Sequence, residues 1–205
     1  MTTTARYASG HGFDGAFGLD LQNDNGIDNG ALDFDGIVLP TRYALERQTW
    51  AGFGQLSYAA TSALQLSTGA RFDKTGGDGG HISPQAGATY DLAISRTRLT
   101  MAWGRAFKLP SFYALGNPIV GDPTLSPERA TNLSTGVSQA FGASPDRLKL
   151  DWYDTHDSDL IDFIPGPVPK LVNLSKARVR GAEVSYEIHS GSDLSVTPSF
   201  SYTHA

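Results

Sequence analysis

Apolar and polar residues alternate with a period of two along most of this chain. Near its end Leu194, Val196, Pro198, Phe200 and Tyr202 interleave with Ser195, Thr197, Ser199, Ser201 and Thr203. Leu64, Leu66, Ala70 and Phe72 interleave with Gln65, Ser67, Gly69, Arg71 and Asp73. Leu99, Met101 and Trp103 follow the same rule, as do Leu148, Leu150 and Trp152. Such alternation gives a strand one apolar and one polar face. It predicts strands over 13–20, 45–58, 63–73, 82–91, 97–106, 130–141, 147–156, 171–188 and 193–204, with a further one over 2–8. No stretch has the period of a long amphipathic helix; residues 110–115 are expected to form a single short turn.

The connections sort by length. Ala59–Ser62, Ala93–Arg96, Gly142–Asp146 and His189–Ser192 are short, and they interleave with the longer Leu21–Ala44, Lys74–His81, Phe107–Arg129 and Asp157–Lys170. An up-and-down barrel in an outer membrane has short turns at one rim and long loops at the other. A soluble sandwich has no reason to sort its loops this way. The prolines of Ile164-Pro165-Gly166-Pro167-Val168-Pro169 cannot donate to a ladder, so this run is a loop. Pro198 falls inside a strand pattern and should mark a bulge or a strand end.

Composition narrows the field. The 205 residues are 40% hydrophobic and 18% charged, with a net charge of −5. That excludes a basic footprint for nucleic acid. Ten Phe, eight Tyr and three Trp supply candidate interfacial girdles, among them Trp50, Tyr58, Trp103, Phe141, Trp152, Tyr186 and Tyr202. There is no Cys, hence no disulfide framework, thiolate metal site or Cys nucleophile. No apolar run reaches the ~18–20 residues of a membrane helix. Residues 2–6 carry no apolar signal segment, so an exported protein with this sequence is expected to begin further upstream.

Several local patterns point to chemistry and fail on inspection. Asp73-Lys74-Thr75-Gly76 matches a phosphorylated loop of ion pumps, but no nucleotide-binding loop accompanies it. Gly76-Gly77-Asp78-Gly79-Gly80 resembles one calcium-binding repeat turn, and such turns work in stacks. Asp33, Asp35 and Gly36 fit an EF-hand, yet its first and last positions would be Ala31 and Arg42. Asp154, His156, Asp157, Asp159 and Asp162 form an acidic cluster suited either to a hard cation or to a solvated outer loop. His11, His81, His156, His189 and His204 are scattered. Asn132-Leu133-Ser134 and Asn173-Leu174-Ser175 match glycosylation acceptors, a pattern common by chance. No catalytic constellation is present, and neither an enzymatic activity nor a bound cofactor or metal is expected.

One set of motifs is specific in order and spacing. Gly104-Arg105-Ala106-Phe107-Lys108-Leu109-Pro110-Ser111 resembles the "G-x-x-F-K/R-x-P-S" stretch of TonB-dependent outer-membrane receptors. Gly121-Asp122-Pro123-Thr124-Leu125-Ser126-Pro127-Glu128 resembles the "G-N/D-P-x-L-x-P-E" of the same family. Asn173, Ala177, Gly181 and Glu183 match its "N-x-x-x-A … G-x-E". Gly69-Ala70-Arg71-Phe72-Asp73 and Ser83-Pro84 are similar to two further strands, with Gln85 departing from the usual Arg.

The resemblance implies an all-β fold: part of an antiparallel transmembrane β-barrel. Barrels of this class have about 22 strands around a plugged lumen, and nine or ten are legible here. The sequence shows no counterpart of the plug domain, nor of the strand, usually ending on an aromatic residue, that closes such barrels. Residues 1–205 are thus expected to be a partial barrel domain. The implied function is import of a scarce nutrient (ferric siderophore, haem, cobalamin or carbohydrate) across the outer membrane of a Gram-negative bacterium. The implied partners are outer-membrane lipid, the TonB complex reached through the plug, and a small-molecule or metal-chelate ligand. The motif residues read as loop architecture; Arg105, Lys108 and Tyr113 lie at a loop base, and ligand contacts are not assignable. Two other readings fit the alternation: a small self-contained barrel acting as pore or anchor, and a soluble β-module that binds a partner. An open partial barrel should aggregate in water, whereas the soluble module would not.

Overall fold

The computed structural model describes residues 1–8, 12–34, 36–76, 79–141, 146–190 and 194–205. The strands are β1 (Thr2–Ala8), β2 (Phe13–Asp28), β3 (Ala31–Phe34), β4 (Ile37–Pro40), β5 (Tyr43–Ala59), β6 (Leu64–Thr75), β7 (Gly80–Leu92), β8 (Thr97–Lys108), β9 (Glu128–Ala140), β10 (Arg147–Ile164), β11 (Lys170–Ser190), β12 (Leu194–Val196) and β13 (Ser199–His204). One short helix, α1 (Phe112–Gly116), follows β8. The predicted features at His11, Asp35, 77–78, 142–145 and 191–193 lie outside the described residues.

Eleven strands form one antiparallel meander, β1-β2-β5-β6-β7-β8-β9-β10-β11 and then β12 and β13 on the same neighbour; β3 and β4 make a separate hairpin. Among the described residues β1 pairs only with β2, and β13 only with β11, so the sheet is an open wall. β12 and β13 are the one predicted strand over 193–204, divided at Pro198. The Pro198 carbonyl still accepts from the Tyr186 N–H at 3.1 Å, but proline returns no donor. Pro84 acts similarly: pairing of β7 with β8 stops at Gln85–Gly104, one residue before it.

Three predicted loops prove shorter than the sequence suggested. β2 runs on to Asp28 and β5 begins at Tyr43, with the β3–β4 hairpin between them. β10 and β11 extend to Ile164 and from Lys170, which leaves only 165–169 as a connection; β6 and β7 close to 76–79. The Asp- and Asn-rich segments read as loops because their polarity is uniform. They are hairpin arms in which both faces are wet, so the alternation that marks a strand is missing. The loop 109–127 matches expectation closely.

Register sorts the side chains. Leu64, Tyr90, Leu99, Val137, Leu150, Val184 and Phe200 stand directly opposite one another across seven strands. One residue along, Gln65, Thr89, Thr100, Gly136, Asp151, Glu183 and Ser201 do the same. Opposed residues share a face, so the wall has one apolar and one polar side. The apolar side is exposed: Leu150 retains 50% and Phe200 67% of its surface. Among the described residues the hydrophobic side chains that are truly buried are Ala51 and Ala114.

The apolar band drifts across the ladder. It is centred on Phe17 in β2, between Phe13 and Leu21. In β8 it is centred on Met101, whose row runs through Ala88, Leu66 and Tyr58 to Phe13. The centre therefore moves four residues over four strand steps. At ~3.3 Å rise and ~4.8 Å spacing, one residue per strand is a slope of about 35°. A strand tilt of that size is what closing a barrel demands.

A close approach on the polar face yields a test. A side chain on Gly181 would strike the Tyr153 ring, whose hydroxyl is 2.7 Å from Thr203 Oγ1. Gly181→Val is expected to cost about 1–3 kcal/mol through overpacking, and Tyr153→Phe about 1 kcal/mol through the lost hydrogen bond. Urea unfolding of both variants in lipid vesicles checks the pair; a wild-type midpoint for Gly181→Val would refute the packing.

Candidate functional site

The long connections all leave the same rim of the wall, and the motif residues from Lys108 to Glu128, with Asn173, gather there. α1 starts at Ser111, whose side chain caps it by accepting from the Ala114 N–H at 3.1 Å. Phe112 packs against Gly26 of β2, where any Cβ would collide with its side chain. Arg47 of β5 donates to the Pro110 carbonyl at 2.9 Å and spreads its guanidinium 4.7 Å from the Phe112 ring centre. The start of the 109–127 loop is thereby fixed to β2 and β5.

Its middle is held by a buried amide. Asn117 retains 3% of its surface and its Oδ1 accepts from the N–H groups of Ile119 and Val120 at 2.9 and 3.1 Å. Gly121 donates back to the Asn117 carbonyl at 2.8 Å, in a space with no room for a Cβ. Asp122 then accepts from the Thr124 hydroxyl at 2.6 Å and its N–H at 2.8 Å. The Thr124 hydroxyl, then its N–H, holds the Asp122 carboxyl below its ordinary 3.8. A carboxyl lowered in the fold stabilises above its unfolded value and stops doing so as pH falls through the lowered one. The 122–124 turn is thus at full strength at neutral pH and weakens only in acid.

The end of the loop is clipped to the β10–β11 hairpin. Asn173 takes the Ser126 N–H at 2.7 Å and donates to the carbonyls of Ser126 at 2.8 Å and Asp159 at 2.7 Å. Asp159 has a left-handed backbone, φ 58°, beside a register shift in β10, a conformation that Asp tolerates better than most residues. Glu128 bridges twice: Oε2 lies 2.9 Å from Lys108 Nζ, directly across the ladder, and Oε1 accepts from the Ile161 N–H at 2.9 Å. The Leu171 N–H reaches the Val120 carbonyl at 2.7 Å.

The other motif residues are placed as follows. Phe107 stacks on His81 with ring centres 4.5 Å apart. Gly104 faces Gln85 and Asn132 across the ladder, and Ala177 faces Asp157. Glu183 stands on the polar face between Asp151 and Ser201. Pro123 is exposed, Pro127 buried, and Leu125 closes a turn on the Asp122 carbonyl at 3.3 Å. Tyr113 is 48% exposed. Arg105, three residues before the end of β8, lies on the side of Trp103, 5.7 Å from that ring.

The acidic cluster divides. Asp154, His156, Asp157, Asp159 and Asp162 lie on β10 and not around a loop. Asp154 and Asp157 take opposite faces by strand parity. Asp154 is taken up by Arg178 (Nε to Oδ1 3.0 Å), with His156 Nδ1 3.4 Å from it, and Asp162 accepts from Ser175 Oγ at 2.7 Å. These carboxylates do not converge on a common point.

The polar face carries a network that the motifs did not reveal as a unit. Arg71 donates to Asp73 at 2.9 Å and reaches across two strands to Asp20 at 3.1 Å. It overlooks an open concavity of about 820 Å³ lined by Asp20, Gln55, Gln85 and Asn132. Arg71 and Asp73 share a face because they are two apart; Asp20 carried no signal, since its partner is 51 residues away.

The family model described as TonB dependent receptor-like, beta-barrel matches residues 1–205. The chain belongs to the TonB-dependent receptor β-barrel family. An iron-regulated outer membrane virulence protein of Vibrio cholerae serotype O1 is 23% identical over 196 residues, 82% of this chain and 29% of that protein. Among solved structures, the ferric enterobactin receptor of Pseudomonas aeruginosa in complex with enterobactin superposes with a TM-score of 0.81 at 16% identity, over 100% of this chain and 35% of that one. The copper transporter OprC gives 0.77 at 20% identity, over 98% and 36%. The RagAB peptide importer gives 0.73 at 15%, over 98% and 29%. This chain therefore spans about a third of the length of those receptors.

The Asn173 clip is directly testable. Asn173→Ala removes three hydrogen bonds and is expected to cost about 1–3 kcal/mol. Amide exchange should quicken at Ser126 and through 109–127, while the β8–β9 ladder stays protected. Unchanged exchange at Ser126 would show that the loop is held elsewhere.

Proposed function

We propose that this TonB-dependent receptor barrel forms part of an outer-membrane importer for a scarce nutrient, with a ferric siderophore as the leading ligand class. The carrying observation is the shape of the apolar face. On β2 it runs from Phe13 to Leu21; with a slope of about 35° that is about 22 Å of height, against the ~25 Å of an outer-membrane barrel. Aromatics border it on both sides. Phe13, Tyr58, Tyr90, Phe141 and Tyr186 stand toward the short turns, with Phe13 stacked on Tyr58 at 4.2 Å. Trp50, Phe72, Trp103, Trp152 and Tyr202 stand toward the long loops, with Trp50 edge-on to Phe72 at 6.0 Å. In this reading the apolar face meets lipid, the polar face lines the lumen, and the long-loop rim faces outward.

The 109–127 platform and the β10–β11 hairpin then form part of the outer vestibule, and the motif residues shape it without touching ligand. The Arg71–Asp20–Asp73 network faces the plug or the passing ligand. Energy comes from TonB acting on a plug supplied by the complete receptor. The work is transport, with no bond of the ligand broken. Iron-linked relatives support the ligand class; a copper- or peptide-type cargo is the alternative that the other structural neighbours bring. A small self-contained pore is the alternative architecture; it would need β1 closed against β13, which among the described residues pair only with β2 and β11.

Two measurements test this. Iron-starved cells should lose radiolabelled ferric-siderophore uptake when the gene is deleted, and a protonophore should stop uptake in the wild type. Uptake that survives both would end the proposal. At the centre of the band, Leu150→Arg is expected to destabilise the barrel in phospholipid by about 2–4 kcal/mol, whereas Thr100→Arg on the polar face should cost far less. Equal costs would mean that the apolar face does not meet lipid.

A further inference from the structure

The tripeptide Asp-Asn-Gly occurs twice in close succession, as Asp24-Asn25-Gly26 and Asp28-Asn29-Gly30. An asparagine followed by glycine can react with its own backbone. The glycine nitrogen is placed to close a small ring on the side-chain carbonyl carbon, and no Cβ on that glycine stands in the way. Both asparagines are exposed. Neither composition nor access of water distinguishes the two copies, so the difference between them lies in the fold.

The first copy is locked in a ladder. Asn25 and Gly26 stand opposite Glu46 and Leu45 in the pairing of β2 with β5. Ring closure would turn Asn25 out of its extended conformation and break that pairing. Phe112 packs against Gly26. Asp24 is engaged elsewhere: its Oδ1 accepts from Gln22 Nε2 at 2.9 Å, and its Oδ2 lies 3.8 Å from Arg47 Nε.

The second copy lies between ladders. The pairing of β2 with β5 ends at Asp28 opposite Tyr43, and that of β3 with β4 begins at Ala31 opposite Pro40. Asn29 and Gly30 form the link. Here the Asp28 carboxylate bends back over the link, and its Oδ1 accepts the Gly30 N–H at 3.0 Å. It sits on the proton that the ring-closing nitrogen must lose, the place of a general base. The Gly30 carbonyl accepts from the N–H of the buried Thr41 at 3.0 Å, which clasps the base of the β3–β4 hairpin.

We propose that Asn29 is a site of self-modification, at which the folded chain converts this amide to aspartate and isoaspartate with Asp28 as base. The Gly30 nitrogen gives its proton to Asp28 and bonds to Asn29 Cγ. The bond from Cγ to the side-chain nitrogen breaks, and ammonia leaves with the proton that Asp28 returns. The product is a succinimide. Water opens the ring at either carbonyl, giving aspartate or isoaspartate. Each product places a further negative charge beside Asp28. Isoaspartate also adds a methylene to the main chain ahead of Gly30, which shifts the Gly30 carbonyl away from Thr41 and loosens the β3–β4 hairpin. The hairpin thereby carries a one-way change that accumulates with the age of the protein. The site depends neither on the ligand nor on the membrane reading above.

The test uses the complete receptor that carries this chain, purified folded and kept at mildly alkaline pH. Peptide mapping with electron-transfer fragmentation follows the amide-to-acid mass change and the isoaspartate at each copy. In the folded receptor Asn29 should convert at least about tenfold faster than Asn25, and in the urea-unfolded chain the two rates should agree within about twofold. Asp28→Asn keeps an acceptor for the Gly30 N–H and loses the base, so it should slow Asn29 at least about threefold. Amide exchange at Thr41 should quicken as isoaspartate builds up, and should stay at its starting rate in Asn29→Gln. An Asn29 that keeps its amide in the folded receptor while the unfolded chain converts overturns the site. Equal rates at Asn25 and Asn29 in the folded wild type, a comparison that needs no variant to fold, overturn it as well. A wild-type rate in Asp28→Asn overturns the role given to Asp28.

Discussion

Cross-strand register is the constraint on which the rest of this molecule depends. In a ladder with period two, a slip of one residue would exchange the faces of a strand and set Leu150 or Leu99 among Asp151, Glu183 and Gln65. With almost no buried core, the wall has little else to fix its arrangement. The apolar row through Leu64, Val137 and Phe200 lowers its energy only if one solvent covers that whole face and another covers the opposite one. A two-solvent environment is therefore built into the pairing itself. The drift of one residue per strand turns that flat requirement into a tilted band, the form a barrel wall must have in a membrane.

The sequence exposed this frame through its alternation, because alternation survives wherever one face is apolar. It failed where both faces are wet. Asn23 to Asp28, Asp157 to Ile164 and Lys170 to Lys176 are strands that carry polar residues on both sides, so nothing in the pattern separates them from loop. Pro198 was legible as an interruption, since a missing N–H breaks a ladder whatever the surroundings; Pro84, read only as part of a strand motif, interrupts its ladder for the same reason. The acidic cluster was legible as composition only: which face each carboxylate takes depends on parity and on the bulge near Asp159, and neither shows in a count of Asp residues.

The rim was legible in a different way. Spacing of Gly104, Pro110, Gly121, Pro127, Glu128 and Asn173 pointed to a shared architecture, but no local rule says that Asn173 should meet Ser126, 47 residues away. The structure supplies the reason such residues suit their places. An amide can donate and accept at once, so Asn173 satisfies three backbone groups that would otherwise be unpaired where a loop crosses a hairpin. Glu128 does the same with its two oxygens. Neither group is left with much capacity for a ligand, which is why we read the rim motifs as scaffold.

Arginine placement follows from the same register and carries the reading furthest. An Arg on the apolar side is costly at the centre of a membrane and cheap at its border, where a long side chain reaches the headgroups. Parity puts Arg105, Arg129, Arg178 and Arg180 on that side, and the tilted band leaves them toward its long-loop border. Had the band run level, Arg180 would share the height of Leu133 and Trp103 and would sit within it. The slope lifts it clear. The tilt derived from hydrophobic residues alone thus accounts for the position of the charges, which played no part in deriving it.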